Sequence, residues 1–215
     1  YMYLKKSEHK KNIVLLHGKN FSGAYWESTA QWLFNNGYNV VIPDQIGFGK
    51  STKPENYQFS FAALANNTFN LLEQLGLDKF TVVGHSMGGM LASRMALMKP
   101  KLVIKLILIN PIGLEDYLNF VKYKDVSFFY ESELNKTSQK VKNYQQKYYY
   151  DGKWKEEYEP WVQMHTGWIN GPDWPLVAWN NALTFDMIFT QPVINEFSNL
   201  KTPTRLILGT RDRTG

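Results

Sequence analysis

A chain of 215 residues with 44% hydrophobic and 20% charged side chains carries enough apolar material for one well-buried domain, or for a domain with an insertion, and does not have the profile of a disordered segment. The formal charge of +5 and pI near 9.1 come from lysines that are scattered except around residues 5–11 and 136–155. Neither cluster forms a binding motif, so a solvated basic face is read and nucleic acid is not an expected partner. The absence of cysteine excludes disulfides, thiolate metal sites and a cysteine nucleophile, and the longest apolar run, 102–110, is interrupted by Lys105 and too short for a membrane span.

In chain order, β-rich runs fall at 12–16, 38–42, 80–83 and 102–109, with a fifth at 204–208. They are apolar on both faces, the mark of buried parallel strands. Helical segments separate the first four. Residues 26–36 close at Gly37, residues 60–75 open at the N-cap Ser60 and close at Gly76, and residues 87–98 stop before Pro100. This alternation predicts an α/β class with a mostly parallel central sheet and helices on both faces. From 111 to 199 the alternation stops, and more than half of all Phe, Trp and Tyr residues fall there. Because the strand pattern resumes afterwards, 111–199 is read as a helical, aromatic-rich insertion between an N-terminal part, 1–110, and a return segment, 200–215. The first residue is Tyr1 and no helix follows the final "GTRDRTG", so both ends are expected to be cut, and the compartment is left open.

The segment "VVGHSMGG" sets Gly84-His85-Ser86-Met87-Gly88 between a strand and a helix, the context that G-x-S-x-G requires. A serine on such a corner has a strained backbone that presents its Oγ outward, and flanking glycines avoid collision with the neighbouring strand and helix. The turn also opens a helix, so the Met87 amide and the positive helix end face whatever Oγ attacks. Two companions stand upstream: "LLHGKNFSGAYW", a strand ending in His17-Gly18, and the Asp-x-x-Gly-x-Gly-x-Ser turn of "VVIPDQIGFGKST", in which Asp44 is expected to fix its own turn.

On these motifs the chain resembles an α/β-hydrolase-fold serine hydrolase of the capped type, over about residues 13–212. The resemblance implies Ser86 as nucleophile and an oxyanion hole made by the backbone amides of Met87 and Lys19, with Asn20 the alternative to Lys19. It implies Asp212 as the carboxylate that orients a histidine, and 111–199 as a lid. Chain order in such enzymes is Ser, acid, His, yet no histidine follows Asp212 in this sequence. His17 is read as structural, and His85 as pointing away from Oγ because neighbours along an extended segment face opposite sides. His9 is read as surface, and His165 as a substrate contact or, as the lesser reading, the base. The base itself is expected beyond Gly215. Asp116, with Glu115, is the alternative acid.

Serine rather than aspartate at position 86 argues for acyl transfer, with no metal and no cofactor, since no His or carboxylate cluster has ligand spacing. The expected partner is a small-molecule substrate, an ester with a small to medium apolar or aromatic acyl group, held in an apolar chamber of lid aromatics, Tyr148 to Tyr150, Trp154, Trp161, Trp168, Trp174 and Trp179, with Trp161, His165, Trp168 and Trp179 as the expected substrate contacts. Carbon–carbon hydrolysis, lactone opening and perhydrolysis use the same serine geometry. A non-catalytic binding protein on the same fold is the rival class. Oligomeric state is left open.

Overall fold

The computed structural model describes residues 1–7 and 11–212; His9 lies outside them. A six-stranded sheet is formed by β1 (Met2–Leu4), β2 (Asn12–Leu16), β3 (Asn39–Ile42), β4 (Phe80–His85), β5 (Val103–Ile109) and β6 (Thr204–Ile207), in the spatial order β1-β3-β2-β4-β5-β6. Only β1 runs antiparallel to its neighbour, through Tyr3 opposite Val41; all other pairs are parallel, as expected for an α/β fold. The connecting helices are α1 (Glu27–Asn35), α2 (Phe61–Gln74) and α3 (Met87–Met98).

The period of two along each strand divides the core. Val14, Leu16, Val41 and Val82 pack on one face with Phe61, Leu64, Phe69, Met90 and Leu91 of α2 and α3. Ile13, Leu15, Val40, Ile42 and Val83 pack on the other with Trp26 and Ala30 of the α1 side. Both faces of the central strands are thereby covered, which is why their sequences read as unbroken apolar runs.

The helix ends follow the expected chemistry. The Ser60 hydroxyl accepts the Ala63 amide at 3.0 Å, and α1 and α2 stop at Gly37 and Gly76, whose φ values of 88° and 70° suit glycine. The fifth predicted strand is present: β6 pairs with β5 and is exposed along its length, with Leu206 and Ile207 at 47% and 46%. Among the described residues it is an edge strand whose apolar side chains meet solvent.

Between the adjacent strands β5 and β6 the chain rises into a helical layer, α4 (Val126–Leu134), α5 (Ser138–Tyr148), α6 (Glu159–Ile169) and α7 (Trp174–Thr190). Phe129 of α4 stacks on Phe185 of α7 with centroids 4.9 Å apart, and Lys142 of α5 pairs with Glu159 of α6 at 2.9 Å. The layer returns to the core through Arg94 of α3, which holds Glu196 by two hydrogen bonds of 2.9 and 2.6 Å. No helix of the described residues is long and apolar enough to cross a membrane.

Asp44, at the end of β3, ties three segments. Its Oδ1 accepts the Gly23 amide at 2.6 Å, its Oδ2 accepts the Lys50 amide at 2.8 Å, and its carbonyl accepts the Ser51 hydroxyl at 2.7 Å. The turn is self-fixed, as expected, and also anchors the loop that precedes α1. Asp44→Ala strips two amides of their acceptor and is expected to destabilise the fold by about 2–4 kcal/mol, read as a lower midpoint in urea unfolding.

Candidate active site

Ser86 is the single residue between β4 and α3, and its backbone sits at φ 54°, ψ −123°. For a non-glycine residue this region is strained. The strain is held from both sides: the Ser86 amide donates to the Ile109 carbonyl of β5 at 3.2 Å, and its carbonyl accepts the amides of Gly89 at 2.8 Å and Ile112 at 3.3 Å. A Cβ on Gly84 would strike the Gly88 carbonyl, and a Cβ on Gly88 would strike the Leu16 carbonyl of β2, so the two glycines let α3 approach the sheet closely enough to force the turn. The Met87 amide, first in α3, has no intrahelical acceptor.

The loop after β2 faces this turn and is held in two different ways. Its first half is fixed by the core. The His17 ring is fully buried; Nε2 accepts the Gln45 amide at 3.0 Å, so Nδ1 carries the proton and donates to the Gly18 carbonyl at 2.9 Å. Burial holds its pKa below the ordinary value, which keeps it neutral and structural, as expected. The Gly18 amide donates to the Tyr25 hydroxyl at 3.2 Å, and that hydroxyl in turn is hydrogen-bonded to His85 Nδ1 at 3.0 Å. His85 borders the cleft with its Nδ1 taken by Tyr25 and its pKa lowered, chiefly by burial.

The second half of the loop is held by the helical layer. Lys19 carries its ammonium into the interior, 3.4 Å from Glu133 Oε1 and 3.6 Å above the Phe185 ring; the two charged side chains are 7% and 1% exposed. Glu133 also accepts Lys136 at 2.7 Å. Burial lowers the Lys19 pKa to about 8 against the opposing pull of Glu133, while Glu133 stays below the usual carboxylate range because Lys19 and Lys136 outweigh its own burial. The Asn20 side chain donates to the Tyr149 hydroxyl at 2.9 Å. The backbone amides of Lys19 and Asn20 take no acceptor from the described residues, so they are free to meet a ligand.

Asp212 reaches the same cleft through Asn110. At φ 37°, Asn110 ends β5, donates its amide to the Ile207 carbonyl at 2.8 Å and accepts the Gly209 amide on Oδ1 at 2.7 Å, which swings 209–212 alongside Ser86. The resulting cavity of about 840 Å³ is bordered by Gly18, Lys19, Asn20, His85, Ser86, Asn110 and Asp212 below, and by Tyr144, Tyr148, Tyr149, Tyr150, Tyr158, Phe185 and Phe189 above. Ser86, Met87, Lys19, Asn20 and Asp212 are thus brought together. Among the described residues no histidine hydrogen-bonds to Ser86, and no group of three or more His, Asp or Glu is placed to hold a metal.

Of the aromatics named in the sequence for the chamber, Tyr148, Tyr149 and Tyr150 border the cavity and the tryptophans do not. Trp161, His165, Trp168 and Trp179 do not border the cavity. Trp179 is turned outward, donating to the Glu55 carbonyl at 3.2 Å and meeting Tyr130 edge-on. His165 is buried inside the layer between Trp168 and Trp174 with both ring nitrogens unpartnered, so it is neither base nor substrate contact here. Trp161 and Trp168 lie on α6, partly buried within the layer. The lining rings come instead from the tyrosine run at the end of α5 and from α7, whose helix faces only packing decides. Asp116, the alternative acid, is spent on capping the Leu118 amide at 3.1 Å. Tyr25, Asn110 and Glu133 were not named as site residues; "FFYESEL" carries no local signal that separates Glu133 from surface polar residues.

Residues 11–173 match the model of the alpha/beta hydrolase fold family. A solved probable hydrolytic enzyme from Pseudomonas aeruginosa PAO1 is 48% identical over 98% of this chain and 68% of its own, with a TM-score of 0.95. A fluoroacetate dehalogenase from a Burkholderia species is 34% identical over 54% of this chain and 38% of its own length. The 2-hydroxy-6-oxo-6-phenylhexa-2,4-dienoate hydrolase of Rhodococcus sp. strain RHA1 shares the fold at a TM-score of 0.76 and 19% identity, covering 96% of this chain and 75% of its own. The chain spans about a third of the length of the curated relatives it matches, 31% for an uncharacterized Mycobacterium tuberculosis protein that is 37% identical over 109 residues.

The unpartnered His165 also sets an acid limit on stability. Its pKa is pushed down to about 3 from an ordinary 6.5, first by burial and then by Lys136. The unfolded chain takes up this proton near its ordinary pKa while the folded chain does not, so stability is complete above that pH and falls as pH drops toward the folded value, by about 1.4 kcal/mol per pH unit. His165→Leu is expected to remove that part of the slope in urea unfolding series run between about pH 6 and pH 4, leaving the rest of the acid sensitivity in place.

Proposed function

Since this chain belongs to the α/β-hydrolase-fold family, we propose that it is the acyl-transfer part of a serine hydrolase acting on carboxylic esters of small to medium apolar or aromatic acids. The observation that carries the reading is the strained Ser86, on the floor of an aromatic cavity and opposite a loop with free amides. A cavity of about 840 Å³ is of the size that buries a small molecule, and its tyrosine and phenylalanine rings offer an apolar wall for the acyl group. Helices 126–190 then act as the cap over that cavity.

In this reading Ser86 Oγ attacks the ester carbonyl carbon and gives its proton to a histidine base. The carbonyl oxygen becomes an oxyanion that accepts hydrogen bonds from the amides of Met87 and of Lys19, or of Asn20 in place of Lys19. Collapse of the tetrahedral intermediate breaks the ester C–O bond; the alcohol leaves with the proton from the histidine, and the acyl group stays on Ser86. Water, deprotonated by the same histidine, hydrolyses the acyl-enzyme. Asp212 orients the histidine and stabilises its charged form. The base is read as supplied from outside the described residues, since no described histidine hydrogen-bonds to Ser86, His17 has both ring nitrogens engaged and His165 is enclosed.

The test uses the full-length protein, a fluorophosphonate probe and p-nitrophenyl esters of graded acyl length. Ser86 is expected to be labelled, and Ser86→Ala to lose labelling and to drop kcat by about 10⁴-fold or more. Absence of labelling overturns the nucleophile; labelling with cleavage of a dienone acid or a lactone, and of no ester, overturns the ester substrate.

A further inference from the structure

The loop that faces Ser86 is anchored to two separate bodies. Residues 17 and 18 belong to the core, through His17 on the Gln45 amide and the Gly18 amide on Tyr25. From residue 19 onward the side chains reach into the helical layer, while the Phe21 ring also lies 5.1 Å from Tyr25 and the Ser22 hydroxyl accepts the Ala24 amide at 3.4 Å on the core side. Lys19 meets Glu133 of α4 at 3.4 Å, Asn20 donates to Tyr149 at 2.9 Å, the Phe21 ring lies 5.7 Å from the Tyr149 ring, and the Ser22 hydroxyl points at Met164 Sδ of α6 at 3.7 Å. The division falls between Gly18 and Lys19, where the loop begins to present its free amides.

A buried ammonium has little choice of position. Lys19 and Glu133 are both out of water, and a buried charge that loses its partner is strongly destabilised, so the carboxylate dictates where the lysine side chain ends and thereby limits where its Cα and amide lie. The Asn20–Tyr149 bond fixes the next residue in the same manner. Oxyanion donors work only when they sit about 3 Å from the developing charge, and misplacement by about 1 Å can cost 100-fold in rate.

We propose that Glu133 and Tyr149 are positioning residues that act through Lys19 and Asn20 to set the oxyanion-hole amides, so that the hole is complete only while the helical layer rests on the loop. This rests on the reading of Ser86 as nucleophile and of the 19–20 amides as oxyanion donors. Neither Glu133 nor Tyr149 touches the reacting atoms through this role. Glu133 is also held within the helical layer by Lys136, through two bonds of 2.8 and 2.7 Å.

Two double-mutant cycles in the full-length protein test this, one with Lys19→Met and Glu133→Gln, the other with Asn20→Ala and Tyr149→Phe. Hydrolysis of p-nitrophenyl acetate and the rate of fluorophosphonate labelling are measured beside the melting temperature. Each single change is expected to lower kcat about tenfold with KM moved less than about twofold, and each double variant to fall no further than its poorer single, since both changes remove one linkage. Glu133→Gln and Tyr149→Phe proteins that are folded and keep wild-type kcat overturn the proposal, as do doubles in which the losses multiply. If Glu133→Gln does not fold, the Asn20–Tyr149 cycle decides, because Tyr149→Phe removes one hydroxyl and keeps the ring. A wild type that is neither labelled nor active overturns the nucleophile reading and this proposal with it, whereas an active wild type with unaffected variants overturns only the positioning role.

Discussion

A serine backbone at φ 54°, ψ −123° stores about 1–3 kcal/mol of conformational energy, and the molecule is arranged so that this strain has no route of relief. β4 lies between β2 and β5 in parallel register, so its end cannot shift without breaking two ladders. Gly84 and Gly88 bring α3 against the strand, and the Ser86 amide and carbonyl are both engaged by neighbouring backbone. The hydroxyl is thereby aimed out of the sheet into the cavity, at the same edge where the 17–22 loop and the 209–212 segment emerge from β2 and β6. The other site features can be traced to the sheet order that puts those three strand ends together.

Electrostatics in the site follow from burial. His17, His85 and His165 all have lowered pKa values with desolvation as the first cause, and the two with partners each use Nδ1 in a structural bond. The Lys19–Glu133–Lys136 cluster is the exception, a set of retained charges at the seam between core and helical layer. Buried ion pairs contribute little net stability against apolar replacements, since desolvation offsets their attraction. What such a pair does supply is a definite geometry, and here it joins a loop of the core to a helix inserted 114 residues later.

Legibility in the sequence tracked how local each determinant is. The central strands β2 to β5 and helices α1 to α3 appeared in the apolar runs and stop residues because β2 to β4 are covered on both faces, β5 keeps an apolar run although Ile104 and Lys105 are exposed, and each helix end is chemically marked. Met87–Met98 was found to the residue, and the Asp44 turn was foreseen from its spacing. β1 was missed: three residues, "MYL", acquire strand geometry only by pairing with β3 some forty positions away. In the helical layer the aromatic density was plain but the choice of lining residue was not. α6 packs Trp168 against the buried His165 and keeps Trp161 off the cavity, while α5 ends in a tyrosine run that borders it, and only helix packing distinguishes them.

The sequence by itself determined that the chain is α/β, that a serine stands on a glycine-flanked strand-to-helix corner, and that a helical aromatic segment interrupts the sheet. These depend on periodicity, caps and steric rules that act within a few residues. Only the tertiary structure decided that Asn110 carries Asp212 to the cleft, that Tyr25 links Gly18 to His85, that of the named lid aromatics the tyrosines and not the tryptophans line the cavity, and that Lys19 turns away from water to meet Glu133. Each of those joins residues distant in the chain, and a hydrogen bond or ion pair across such a separation forms only when the strands and helices that carry its two ends have already been brought into place.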